Sequence, residues 1–263
     1  MQKYVVLATN TNMDYCYYAP IVAHMWHTIG YEPIVNVLGD KTEWDQPCRL
    51  RYIYDNICAS ARIIALQRIP GLKDTTVVQV SRLFIAAEPF DENDYILTSD
   101  VDMLPLDRKW FTSQDFNYDV NCFGGDAYPD DGLPMCYNGA KVNEWRMIMN
   151  ILVSCNNINA AMKTALTAGE DDWFYDEILL KKKIKLYHGT REIIKRWPGG
   201  NPARRLDRSG WDFHGQKDLI DCHSVRPGLA HWDKLEPVFK AYCDDADYKY
   251  IKEYTENLLA MEV

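Results

Sequence analysis

The first hundred residues contain two kinds of apolar run. Some are short and continuous: KYVVLATN at 3–10, YEPIVNVLGD at 31–40 and DYILTSD at 94–100. Continuous runs of this length fit strands covered on both faces. Between them the apolar residues take helical spacing. APIVAHMWHTIG (19–30) reads as a helix closed by Gly30. RLRYIYDNICASARIIALQRI (49–69) reads as a helix stopped by Pro70 and Gly71. KDTTVVQVSRLFIAAE (73–88) places Val77, Val80, Phe84 and Ala87 on one face, with Asp74 as cap and Pro89 as stop.

The second half is less regular. DVNCFGG (119–125) suggests a short strand, and GAKVNEWRMIMNILV (139–153) a helix with Trp145, Ile148, Met149 and Leu152 on its apolar face. DDWFYDEILLKKK (171–183) is a further predicted helix, KIKLYHG (183–189) a strand, and WPGGNPARRLDRSG (197–210) a basic, turn-rich loop. The chain after Leu235 is expected to be helical. Strands alternating with helices imply an α/β fold with a mostly parallel central sheet flanked by helices, and an irregular C-terminal part. No repeat or linker divides residues 1–263, so one domain is expected.

Composition narrows the classes. Hydrophobic residues make up 47% and charged residues 25% of the 263, as in ordinary soluble domains. A net charge of -9 argues against a nucleic-acid partner, which needs a positive excess. No run approaches a transmembrane segment, and the N-terminus reads as a first strand, not a signal peptide. Eight cysteines are scattered without a CxxC pair, which suggests free thiols in a reducing compartment.

The main chemical signal is YILTSDVDMLPLD, where an apolar strand ends in Asp100 and Asp102. In open α/β sheets ligands bind outside the carboxyl ends of strands. Two converging carboxylates repel each other unless a cation sits between them. A hard divalent ion, Mn²⁺ or Mg²⁺, suits oxygen ligands of this kind. A solvated turn at a strand end is the plainer reading of the spacing alone.

The surroundings favour the cation. The stretch VSRLFIAAEPFDENDYILTSDVDMLPL resembles the Arg-bearing helix, loop and DxD strand of family 8 glycosyltransferases and related GT-A (Rossmann-like) enzymes; Arg82 lies 18 residues before Asp100. CYNGAKVNEWRMI is similar to a second segment of those families, matching Asn138 and Gly139 to donor-side positions. Together these segments cover roughly residues 75–150. The resemblance implies a UDP-sugar donor of glucose, galactose or xylose type, and a glycan or other hydroxyl acceptor. Residues 1–103 would bind the nucleotide sugar and 104–263 the acceptor. The diphosphate would be held by Mn²⁺ (or Mg²⁺) on Asp100 and Asp102, with Val101 between them against the donor. Thr9 and Asn10 would lie near the base. Arg82 would reach the donor sugar or an aspartate of the pair, unless it is an ordinary ion-paired helix residue. The absence of a membrane span points to a cytoplasmic enzyme of bacterial or viral type, or a Golgi enzyme if the sequence is truncated.

Enzymes of this kind often complete the metal site with a C-terminal histidine. In LIDCHSVRPGLAHW, His223 is the better candidate than His231, with His214 and His188 weaker; a histidine bonded within its loop is the competing reading. His24 and His27 read as structural. Six basic residues lie between Arg191 and Arg208, in a stretch rich in glycine and proline, as either a flap over a diphosphate or a solvated loop. Arg226 is the preferred diphosphate ligand. GEDDWFYDE carries acids at a helix start, where they cap and complement the dipole. In the retaining family 8 pattern the segment begins with an aspartate, and here Tyr175 stands in its place. That departure favours an inverting enzyme with Asp172 or Asp171 as base, with Trp173 and Asp176 on the acceptor side. A retaining family 8-like enzyme is the alternative. A non-catalytic nucleotide-sugar or carbohydrate-binding module is a third reading. A haloacid-dehalogenase-like phosphatase would place its D-x-D after the first strand and is disfavoured.

Overall fold

The computed structural model describes residues 1–113, 119–123, 133–166, 173–188, 194–197 and 204–261. The side chains of residues 188 and 194–197 are outside that description. Strands β1 (Lys3–Thr9), β2 (Glu32–Leu38) and β3 (Arg62–Leu66) line up in parallel. β4 (Tyr95–Thr98) joins β1 on its other side, also parallel. β5 (Met103–Pro105) leaves that sheet at once. β6 (Val120–Phe123), β7 (Asn138–Lys141) and β8 (Ile194–Trp197) complete the order β3-β2-β1-β4-β7-β6-β8, with β7 the antiparallel member. β9 (Arg205–Asp207) and β10 (Asp221–His223) pair with β5 in a separate sheet, ordered β5-β10-β9.

The continuous apolar runs have the predicted consequence. Along β1, Val5 and Leu7 enter one core while Val6 and Ala8 enter the other, because successive side chains point to opposite faces. One core is closed by α1 (Met13–Cys16), α2 (Tyr18–Ile29), α3 (Lys41–Asp45) and α4 (Cys48–Ser60), with Gly30 ending α2 at φ 105. The other is closed by α5 (Asp74–Ser81), which passes directly into a 3-10 turn, Arg82–Ala87. The short α6 (Arg108–Thr112) precedes β6; α7 (Val142–Met149), α8 (Ile158–Ala165) and α9 (Tyr175–His188) follow β7. The predicted C-terminal helices are α10 (Trp232–Tyr242) and α11 (Asp245–Ala260), packed back on the first core.

Several expectations need correction. The run 49–69 is not one helix. Its helical spacing, Leu50, Ile53, Ile57, ends there, and RIIAL continues as β3 with Ile64 and Leu66 inward. No glycine or proline marks that break. Asp74 opens α5 without capping it; its carboxylate is bonded to Arg68 instead. Residues 185–188 continue α9 rather than forming a strand, since Ile184 sits one turn after Leu180 on the buried face. Leu152 is exposed, beyond the left-handed Asn150 that ends α7. Residues 139–141, expected as the first turn of that helix, belong instead to β7. Gly139 is required there, because a Cβ would run into the Tyr95 ring on β4.

Candidate active site

The strand order reverses between β1 and β4: the chain runs from β1 outward to β3, then returns to the other side of β1. At such a switch point the carboxyl ends of the two strands leave a crevice between their diverging loops. A cleft of about 460 Å³ opens here, lined by Thr9 and Asn10 after β1 and by Asp100, Val101 and Asp102 after β4. The backbone sets the turn: Ser99 N–H donates to Val6 O (3.0 Å) and Met103 N–H to Asp100 O (3.2 Å).

Asp100 faces the large sheet's helices. The Arg82 guanidinium donates to Asp100 Oδ1, to Ser99 O (3.0 Å) and to Asp176 Oδ2 (2.9 Å). Arg82 and Asp176 are both buried, so the sequence expectation that Arg82 reaches either the sugar or an aspartate resolves here to two aspartates. Burial would raise the Asp100 carboxyl, but the Arg82 charge outweighs it and holds it below its ordinary value. For Asp176 burial wins and the carboxyl is pushed up. Its neighbour Glu177, which lines the cleft half-buried, is raised to about 7 by burial and then by Asp176 and Asp100.

Asp102 faces the other way. It is 4% exposed, and its Oδ2 accepts from Arg208 Nη1 at 2.8 Å. His223 Nε2 and Arg226 Nε each lie 3.6 Å from the same oxygen. The small sheet makes this meeting. β10 pairs antiparallel with β5, placing His223 opposite Met103, one residue after Asp102. β10 also pairs with β9, placing His223 beside Asp207. Ser224 N–H donates to Asp102 O (2.9 Å), fixing the aspartate's backbone to the same strand. Arg205 clamps Asp221 with two bonds, 2.8 and 2.7 Å, and braces β9 on β10.

His223 Nδ1 is 3.1 Å from Asp207 Oδ2. Burial would raise Asp207, but hydrogen bonds from Ser209 and His223 lower it to about 2. It is therefore an ionised acceptor, and Nδ1 carries the proton donated to it. With Nδ1 engaged there, Nε2 is the ring nitrogen that faces Asp102. Burial alone would lower the His223 imidazole, but Asp102 more than offsets that and raises it.

Among the described residues no group of three or more His, Cys, Asp and Glu stands in metal-binding geometry. The donor types do fit a divalent ion such as Mn²⁺: two carboxylates and an imidazole nitrogen oriented by a carboxylate behind it. Arg208 is what occupies Asp102 instead.

The other residues singled out in the sequence separate into groups. Arg226 lines the cleft, its guanidinium 4.5 Å over the Tyr15 ring. Trp173 is at the cleft and half exposed. Asp176 lines the cleft too, but its carboxylate is engaged by Arg82. Asn138 and Gly139 are not among the lining residues; both lie inside β7, where Asn138 Nδ2 donates to Pro134 O (2.7 Å). Asp171 and Asp172 lie outside the described residues, as does Arg191. His24 pairs with Asp247 on α11, and His214 with Asp212, both away from the cleft. Tyr15 and Asp207 carry no signal in the sequence; Arg205 and Arg208 stand there only among six basic loop residues, and Glu177 only among the acids at a helix start. Asp207 and Arg208 are adjacent in LDRSG, at the junction of a three-residue strand and a three-residue turn, where no periodicity marks them.

No family model matches the sequence, and no curated protein does. Among solved structures, the galactosyltransferase LgtC in complex with donor and acceptor sugar analogues is similar at a TM-score of 0.51 and 13% identity, over 98% of this chain and 97% of that one. An active-site mutant of LgtC gives 0.50 and 12%, over 98% and 97%. At such identities the likeness establishes the fold: the chain has the GT-A fold of glycosyltransferases over nearly its whole length.

Proposed function

We propose that this protein is a divalent-cation-dependent glycosyltransferase that moves a sugar from a UDP-sugar to a hydroxyl of a glycan or other acceptor. One observation carries the reading: Asp100, Asp102 and the Asp207-paired His223 line the same cleft at the switch point of the sheet. Asp100, Asp102 and His223 would hold Mn²⁺ or Mg²⁺. When bound, such an ion supplies Lewis acidity toward the leaving diphosphate. Arg226 supplies positive charge beside it, so less charge must be neutralised by solvent. Thr9, Asn10 and Tyr15 border the base, and Val101 borders the donor between the two carboxylates. Arg82 holds Asp100 ionised and in place rather than touching the sugar.

On the acceptor side, Trp173 offers an apolar face at the cleft rim. Asp172 or Asp171 takes the acceptor proton in an inverting displacement; a retaining reaction is the second reading. Glu177 adds a further acid at the cleft, with a proton affinity near neutrality. Eight free cysteines, four of them buried, suit a reducing cytoplasm. Among the described residues no helix is long and apolar enough to cross a membrane.

Thermal shift with a panel of UDP- and GDP-sugars, with and without Mn²⁺, tests the reading. A UDP-sugar should raise Tm only with metal present. Asp102→Asn should abolish that shift while leaving the far-UV spectrum unchanged. If no nucleotide sugar stabilises the protein with metal, the reading fails. A binding module would show metal-dependent UDP affinity and never release UDP from the sugar.

A further inference from the structure

Four arginines line the cleft, and they differ in how firmly they are held. Arg82 bonds two aspartates and two backbone carbonyls, counting Gln79 O at 3.2 Å. Arg205 is bidentate on Asp221. Arg226 is stacked on Tyr15. Among the described residues, the guanidinium of Arg208 makes a single hydrogen bond, to Asp102 Oδ2. Its side chain is 30% exposed. It sits on a three-residue 3-10 turn ending at Gly210, where a Cβ would meet nothing within 4 Å. Arg208 thus combines a single-bond anchor with room around its backbone.

The atom it holds is the one a metal would need. Asp102 is nearly buried and turns the same oxygen to Arg208, His223 and Arg226. A guanidinium bonded to that oxygen at 2.8 Å and a divalent ion ligated by Asp102 are rivals for the same negative charge. Arg226 stands close by, so a second cation cannot join without adding repulsion.

We infer that Arg208 is an exchange residue: a divalent cation displaces it from Asp102, and the freed guanidinium takes the donor diphosphate, so that cation and nucleotide bind cooperatively. The inference rests on the cation and UDP-sugar reading above. A guanidinium fork suits a diphosphate as it suits a carboxylate. Without metal, Arg208 is spent on Asp102 and adds nothing to nucleotide binding. With metal, it has lost its partner and gains one only when the diphosphate arrives. By reciprocity the nucleotide then tightens the metal by the same factor.

Calorimetry on the intact chain reads this without turnover, using Mn²⁺ alone, UDP alone and UDP with saturating Mn²⁺. Arg208→Met should bind Mn²⁺ alone roughly tenfold tighter than wild type, the scale of one partly exposed charge-assisted bond. It should bind UDP with Mn²⁺ roughly tenfold more weakly, and UDP without metal unchanged. Arg208→Lys, which keeps one donor and the charge, should move each value in the same direction by less, and carries the test if the Met variant fails to fold. Unchanged or weaker Mn²⁺ binding in both variants overturns the exchange. Equal loss of UDP affinity with and without Mn²⁺ also overturns it, since Arg208 would then be an ordinary phosphate ligand. If wild type binds neither Mn²⁺ nor UDP, the glycosyltransferase reading itself fails and takes the exchange with it.

Discussion

The large and small sheets meet at residues 99–103 and are held by different means. The large sheet has strands of four to seven residues between two apolar cores. The small sheet has strands of three residues each, with the Arg205–Asp221 clamp between two of them. The D-x-D spacing spans the seam. Asp100 is wired into the large sheet's helices through Arg82 and Asp176, while Asp102 is wired into the small sheet through Arg208, His223 and Arg226. One sheet therefore carries the fold, and the other completes the site. Damage to the first should be read mainly in stability, and damage to the second mainly in ligand binding.

The largest effect is expected at Arg82. Truncation to Met leaves Asp176, 3% exposed, without its guanidinium, and removes the partner of Asp100. Breaking one side of a buried pair costs about 3 kcal/mol or more. Urea unfolding of Arg82→Met should show a loss of that order. A loss under about 1 kcal/mol, the scale of a surface pair, would show that the Arg82 network is not part of the fold's support.

That network was half legible. Arg82 and Asp100 stand out in sequence, because both lie on elements with strong apolar spacing. Asp176 is disguised by its position at the start of α9, where an acid is expected for the helix dipole alone. The large sheet itself could be read because its strands are buried on both faces and so continuously apolar. β3 was missed because the helix before it ends without a glycine or proline, and β7 because NGAK carries almost no strand signal. In β7 the small residues answer to Tyr95 across the strand pair, a tertiary demand invisible locally. The small sheet was the least legible part. Three-residue strands leave no periodicity, so His223 could be proposed only from its neighbourhood, and Asp207 not at all.

A smaller effect is expected from Glu177 on the large-sheet side. Its folded pKa of about 7 lies above the ordinary 4.5, so between those values the folded state holds a proton that the unfolded chain has released. The stability this contributes is fully present below 4.5 and is lost as pH rises through 7. Glu177 is half-buried, and solvent screening reduces the contribution to the order of 1 kcal/mol. Comparing urea midpoints at pH 5 and pH 8 for wild type and Glu177→Gln isolates it. The variant should lose less stability between the two pH values. Equal losses would mean that Glu177 titrates normally.

The smallest change in stability is expected at Asp207, in the small sheet. Asn keeps an oxygen for the Ser209 N–H and for His223 Nδ1, but removes the negative charge of the carboxylate that Ser209 and His223 hold ionised down to about 2. The residue is 41% exposed, so unfolding should move by no more than about 0.5 kcal/mol. Under the proposed cation reading, binding should move further. Loss of the carboxylate behind a ligating imidazole weakens its orientation and basicity, and such changes lower metal affinity about tenfold. Mn²⁺ titration of Asp207→Asn beside wild type checks both halves. Loss of stability with intact Mn²⁺ affinity would reverse the division of labour between the sheets. Loss of affinity at nearly constant stability is what a site-completing sheet requires, because His223 then changes what it presents to Asp102 without changing what β10 pairs with.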